Sequence, residues 1–154
     1  MIKLYEPKLE DLWFRQKMLA DPETMSYNHA WGGTIDWPKE AWGDWYEHWL
    51  LKPEGKRFYR YLQKEDGEFV GEIAYHFDKE RQIHVADVII FAPFRHQGYG
   101  ESGLRMLCEV AKENGVKVLY DDIAIDNSAI ALFLKMGFAE EYRTDEIIML
   151  KKIL

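Results

Sequence analysis

Apolar positions keep a helical spacing near the start of the chain. Between Lys8 and Leu19, Leu9, Leu12, Trp13 and Leu19 fall roughly on one face, which predicts an amphipathic helix. Asp21-Pro22 breaks that pattern, because the residue before a proline is pushed out of the helical region. Residues 23–35 read as a loop or short helical turns, with Gly32-Gly33 as their flexible point. Asp36 can cap a second helix that tolerates Pro38 in its first turn. There Trp42, Trp45, Tyr46 and Trp49 recur at i, i+3, i+4 and i+7, a stripe that helical periodicity explains as core packing. Pro53-Glu54-Gly55 ends the helix.

The middle of the chain predicts strands. Arg57–Gln63 is aromatic-rich, Asp66-Gly67 is a hairpin turn, and Phe69–Phe77 follows. A turn at Asp78–Arg81 leads to a third strand, Ile83–Phe91. Elements then alternate. A turn at 95–100 opens a helix over about 101–114 closed by Gly115, and Val116–Ile125 is a strand. Asn127 or Ser128 caps a short helix that ends at Gly137, before strands Phe138–Tyr142 and Glu146–Lys152. An antiparallel meander followed by β-α-β-α-β-β predicts a mixed α/β fold: a strongly twisted central sheet flanked by helices.

The 154 residues fit a single domain spanning 1–154, and 47% hydrophobic content supplies a core. The net charge of −7 argues against a nucleic-acid partner, which needs a basic footprint, and suits a cationic substrate. Cys108 is the single cysteine, so no internal disulfide forms; it sits on the apolar stripe of Leu104, Leu107 and Ala111 and reads as core. The N-terminus lacks the apolar run of a signal peptide, and no segment reaches the ~20 apolar residues of a membrane span. A cytoplasmic protein with no membrane partner is the expectation. The five histidines show no metal-ligand spacing, and no metal is expected.

The most specific chemistry is Arg95-His96-Gln97-Gly98-Tyr99-Gly100, between a buried strand and a helix. Gly98 and Gly100 permit a tight turn, and the helix that follows presents unpaired N–H groups to an anion such as a pyrophosphate. Arg95 and His96 add local positive charge. An ordinary strand-to-helix turn would look similar. Gly98-x-Gly100-x-x-Gly103, with Asp121 or Asp122 downstream, also matches the dinucleotide fingerprint of an oxidoreductase. Its place after a meander, with one further βα unit behind it, argues against that reading. A Walker A loop is excluded because no Lys-Ser/Thr follows the glycines.

The Arg95–Gly100 stretch resembles the Arg/Gln-x-x-Gly-x-Gly/Ala signature of the GCN5-related N-acetyltransferases (GNAT). Asn127–Phe138 resembles that family's second hallmark, an Asn followed by Ala, an aromatic and a closing Gly-Phe. The resemblance implies an acyl-CoA N-acyltransferase-like fold, acetyl-CoA as cosubstrate and a primary amine, small or peptide-borne, as acceptor. It implies that Ile89, Ile90 and Phe91 pair with the pantetheine arm in a groove between splayed strands. It implies further that residues 96–100 hold the pyrophosphate and that Asn127 touches the cofactor. Many members carry a tyrosine acid four residues before the closing glycine; here Phe133 stands there and cannot donate a proton. Tyr142 or water would have to substitute, or the thiolate would leave unaided; otherwise the chain is a CoA-binding module of the same fold with weak or regulatory function.

Attack on a thioester needs a neutral amine. For a lysine-like pKa near ~10.4, deprotonation at pH 7 costs about 4–5 kcal/mol, so a base or ordered water must help. Glu72, Asp87 and Asp122 are the candidates, each on a predicted strand. Tyr27, His29, Trp31 and Trp37 lie in the region that closes over the acceptor in the family, and can contact a cation through their rings. The C-terminal strand pair offers a surface for a homodimer.

Overall fold

A computed structural model describes residues 1–154, apart from the side chain of Ala30. Seven strands form one sheet: β1 (Ile2–Tyr5), β2 (Arg57–Lys64), β3 (Phe69–Asp78), β4 (Ile83–Ile90), β5 (Val118–Ala124), β6 (Ala139–Arg143) and β7 (Ile147–Ile153). Their order is β1-β2-β3-β4-β5-β7-β6. All neighbours are antiparallel except β4 and β5. Helices α1 (Trp13–Ala20), α2 (Trp42–Tyr46), α3 (Tyr99–Glu113) and α4 (Ala129–Lys135) flank the sheet, and a 3-10 segment, Thr24–Trp31, follows α1.

Strand alternation gives the sheet two different faces. Ile73, Tyr75, Ala86, Leu119, Ile123, Ile148 and Leu150 pack with Leu104, Leu107 and Cys108 of α3 in the larger core. Gly103 lets α3 come close: a Cβ there would sit 2.8 Å from Leu62 Cδ1 and 3.2 Å from Ile73 Cγ2. On the other face Tyr59, Tyr61, Ala74 and Ile89 pack with Phe14 and Met18 of α1, and with Trp45 and Trp49. Glu72 alternates with Ile73, and Asp87 with Ala86 and Val88, so both carboxylates fall on this second, aromatic face.

Three expectations change. β1 is an edge strand paired with β2, with no counterpart in the sequence reading; at four residues its partner defines it more than its own pattern does. The Lys8–Leu19 helix begins as a 3-10 turn at Leu9–Leu12 and buries Leu12, Phe14, Met18 and Leu19, leaving Leu9 and Trp13 about half exposed. That early tight turn rotates the buried face. Asp36 caps nothing: helical structure starts at Lys39, and Pro38 is the extended residue before it.

β4 and β5 pair only at His84↔Leu119 and Val85↔Tyr120, near the start of both strands. Beyond that point they part, and the β5 side of β4 loses its strand partner. This divergence opens the site.

Candidate active site

A cavity of about 1060 Å³ occupies the gap between β4 and β5. Its lining brings Ile89, Ile90, His96, Gly98, Tyr99, Gly100, Asn127 and Phe133 together with Arg15, Tyr27, Trp45, Trp49, Tyr59, Glu72, His76 and Asp87.

The glycine turn is shaped for an anion. His96 and Gly98 have φ of +63° and +87°, and α3 starts at Tyr99, two residues earlier than the pattern predicts. The first helical bond runs from Ser102 N–H to Gly98 C=O at 3.1 Å, so the N–H groups of 99–101 precede it. Those of residues 96–98 have no backbone acceptor either. A Cβ on Gly100 would lie 3.3 Å from Leu132 Cδ2 and 3.7 Å from Ile90 Cγ1, so any side chain beyond a methyl would fill this cradle.

Not every expected residue faces the cavity. Gln97 is exposed and outside the lining. Phe91 also lies outside it; its ring packs edge-on against Phe14 at 5.8 Å, and its N–H bonds to Val70 C=O. The Arg95 guanidinium donates to the carbonyls of Glu23 and Thr24 at 3.1 and 2.7 Å. With the bond from Ala92 N–H to Thr24 Oγ1, it ties the 3-10 segment to the turn. Asn127 Oδ1 accepts from the N–H of Ala129, the first residue of α4, at 2.8 Å, while Ser128 is the N-cap residue. Phe133 lines the cavity, buried and T-shaped against Phe138, and offers no proton. Tyr142 is 46% exposed on the edge strand β6, outside the lining, so it cannot serve as the replacement acid there.

The three candidate carboxylates are in different states. In the β3–β4 register Glu72 opposes Ile89 and Asp87 opposes Ala74, which makes the two acids diagonal neighbours on one face. Glu72 is buried, accepts a 2.6 Å hydrogen bond from Tyr59, and lies 3.7 Å from Arg15 Nε. Burial, and then the negative charge of Glu72, push Asp87 up to about 8. Asp122 also lines the cavity but is ion-paired with Arg81 at 3.6 Å. Its neighbour Asp121 is held well above the ordinary carboxylate range, by burial first and by Asp87 second.

On the acceptor side, Tyr27 and Trp31 line the cavity, and His29 pairs with Asp126 at 3.1 Å across its mouth. Trp37 does not line it, but packs on Trp42 and Trp45. Trp45 and Trp49, which the periodicity assigns to core packing, pack against the aromatic core and also form cavity wall beside Tyr59, with Trp45 edge-on to Tyr59 at 4.7 Å. Sequence reasoning also missed Arg15 and His76 and gave Asp121 no role outside the dinucleotide reading. A spacing of four from Glu72 along one strand, which keeps both on the same face, was the available signal for His76; Arg15 had none. Burial holds the His76 imidazole below its ordinary range and therefore neutral near pH 7.

In α2 and the helical segment Glu47–Leu51 that follows it, ligand atoms of Asp44, Glu47 and His48 lie within 4.8 Å of one another. They face away from the cavity lining and have no part in this site.

The profile of the acetyltransferase (GNAT) family matches residues 15–138. The chain belongs to that family. It is 24% identical over 110 residues to an uncharacterized N-acetyltransferase of Methanocaldococcus jannaschii, covering 67% of this chain and 48% of that protein. The chain thus spans about half the length of this curated relative. Among solved structures, the spermidine N-acetyltransferase of Vibrio cholerae in complex with CoA and spermine superposes with a TM-score of 0.82 at 16% identity, covering 99% of this chain and 95% of that one. The ribosomal-protein-alanine N-acetyltransferase of Brucella melitensis gives 0.76 at 24%, covering 100% and 99%. The fold is that of these acetyltransferases. A sheet with one parallel pair is not doubly wound, which overturns the dinucleotide reading; Gly103 serves helix–sheet packing instead. Among the described residues no helix is long and apolar enough to cross a membrane.

Proposed function

We propose that this chain is an N-acetyltransferase that uses acetyl-CoA and acetylates a primary amine. One observation carries the reading: the β4–β5 gap meets the unpaired N–H groups of the glycine turn on one wall and the Glu72–Asp87 pair on the other. The N–H groups of residues 96–100 hold the pyrophosphate, Ile89 and Ile90 offer their free backbone edge to the pantetheine, and Asn127 closes that wall. Acetyl-CoA supplies a thioester carbonyl as electrophile. Asp87, pushed up to about 8, is a stronger base than an ordinary carboxylate once ionised, and takes the proton from the amine. Glu72, held by Tyr59, keeps a negative charge beside it to attract the ammonium. Tyr27, His29 and Trp31 bound the acceptor's entrance. No side-chain acid stands at Phe133, so the thiolate leaves without one from that position.

A thermal-shift comparison of acetyl-CoA, CoA and NADPH tests the cofactor, since a ligand bound only by the folded state stabilises it. Thiol release with a panel of amines then tests transfer. Stabilisation by NADPH alone would sink the reading. Stabilisation by CoA without thiol release would instead favour a CoA-binding module, the second reading that Phe133 supports.

A further inference from the structure

Arg15 presents to the acceptor side of the cavity a cation that the protein leaves without a hydrogen-bond acceptor. Its Cζ sits 4.5 Å from the ring centre of Trp37 and 4.6 Å from that of Trp45, and its side chain is only 17% exposed. Nε is buried and unpartnered. The facing carboxylate oxygen, on Glu72, is 3.7 Å away, beyond hydrogen-bond length, and is already bonded to Tyr59 at 2.6 Å. Among the described residues no side-chain or backbone oxygen accepts from the terminal nitrogens, while the Arg15 backbone N–H donates to the Tyr61 hydroxyl at 3.2 Å. Arg60, Arg81, Arg95 and Arg143 all donate to carbonyls or carboxylates. A guanidinium is a planar fork of donors shaped for a carboxylate, and one held in a cavity without an acceptor is poised for a ligand oxygen.

We infer that the acceptor is an amino acid, its carboxylate seated on Arg15 and its amine facing the Glu72–Asp87 pair. This rests on the acetyltransferase reading. The protein's cation and anion stand side by side on one wall, and an amino acid carries the complementary pair on neighbouring atoms. Each of its charges then meets an opposite one. A simple alkylamine or a polyamine leaves Arg15 unanswered and brings a second cation towards it; a peptide N-terminus lacks the adjacent carboxylate. Trp45, under the Arg15 guanidinium, and Trp49, stacked on Trp45, line the same cavity and give the amino-acid side chain an aromatic surface.

The test uses matched pairs, each an amino acid with its decarboxylated amine: phenylalanine with phenethylamine, methionine with 3-methylthiopropylamine, leucine with isoamylamine. Binding to the CoA-loaded protein is read by thermal shift, and transfer by thiol release. For at least one pair, the wild type should prefer the amino acid by more than about tenfold in kcat/KM. Arg15→Gln should raise KM for that amino acid by about 10–100-fold more than for its amine, the loss expected for a charged hydrogen bond. Arg15→Lys should recover part of it. Amines that equal or outperform their amino acids in every pair would overturn the inference, as would an Arg15→Gln variant equally impaired on both. The wild-type comparison decides even if Arg15→Gln fails to fold. If nothing is acetylated, the acetyltransferase reading fails by itself, and the binding arm still judges this one: stabilisation by amino acids but not by their amines sustains it, and no stabilisation by either overturns it.

Discussion

Tyr59 donates a 2.6 Å hydrogen bond to Glu72, the carboxylate diagonal to Asp87 on the aromatic face. Arg15 Nε lies 3.7 Å from the same carboxylate oxygen. Asp87, diagonal to Glu72, lacks such a donor and meets both burial and its neighbour's negative charge. Asp87 is therefore held up to about 8 and keeps its proton near neutral pH.

Asp87→Asn should lower kcat/KM for transfer by about 10²–10⁴, the usual worth of a positioned base, while CoA binding is kept. It should also change stability with pH. Asp87 is about 8 in the folded protein and about 3.9 unfolded, so between those values the folded state binds the proton more tightly. Wild-type stability from this group thus falls as pH rises from about 4 through about 8. In the Asn variant that slope disappears. Melting curves at pH 5 and pH 8.5 check it: the variant should gain on the wild type at the higher pH.

Glu72→Gln removes the negative charge beside Asp87 but can still accept the Tyr59 hydrogen bond. Asp87 then ionises more readily. The rising limb of the kcat/KM profile, expected near about 8 in the wild type, should move to lower pH in the variant. A limb that moves to higher pH would mean that the two groups are not coupled as described.

Gly100→Trp should abolish the CoA-induced thermal shift, because its side chain must project between Ile90 and Leu132 into the cradle. Gly103→Ala has a different effect. Its methyl would press on Leu62 and Ile73, costing about 1–3 kcal/mol of stability in urea melts, with CoA affinity little changed.

Phe133→Tyr would place a hydroxyl on the cavity wall where the protein has none. Steady-state assays should show kcat raised by about tenfold, a fraction of a full general-acid effect. A stability loss of about 1–3 kcal/mol accompanies it if the hydroxyl finds no partner.

Local chemistry made part of this molecule legible in its sequence. Gly98, Gly115 and Gly137 all have positive φ, which glycine accommodates without strain, and so the ends of α3 and α4 could be read directly and the start of α3 to within two residues. The meander was legible because its strands are eight to ten residues long. β1 was not, since four residues with Ile2 and Leu4 carry too little pattern. Which carboxylate matters depends on register across β3 and β4, a long-range property that period-two alternation does not fix. Trp45 and Trp49 show a related limit: one helical stripe serves both core and cavity wall, and periodicity cannot divide it. Arg15 follows the buried Phe14 on α1, and only the tertiary fold brings it to Glu72.

The most direct test of the account is mass-spectrometric detection of N-acetylated product after incubation with acetyl-CoA and the amine panel, for wild type and Asp87→Asn side by side. The account predicts an acetylated amine from the wild type and a loss of at least about a hundredfold in the variant, with equal CoA-induced stabilisation of both. A wild-type protein that is stabilised by acetyl-CoA yet acetylates no amine, or a variant that acetylates as fast as the wild type, would contradict it.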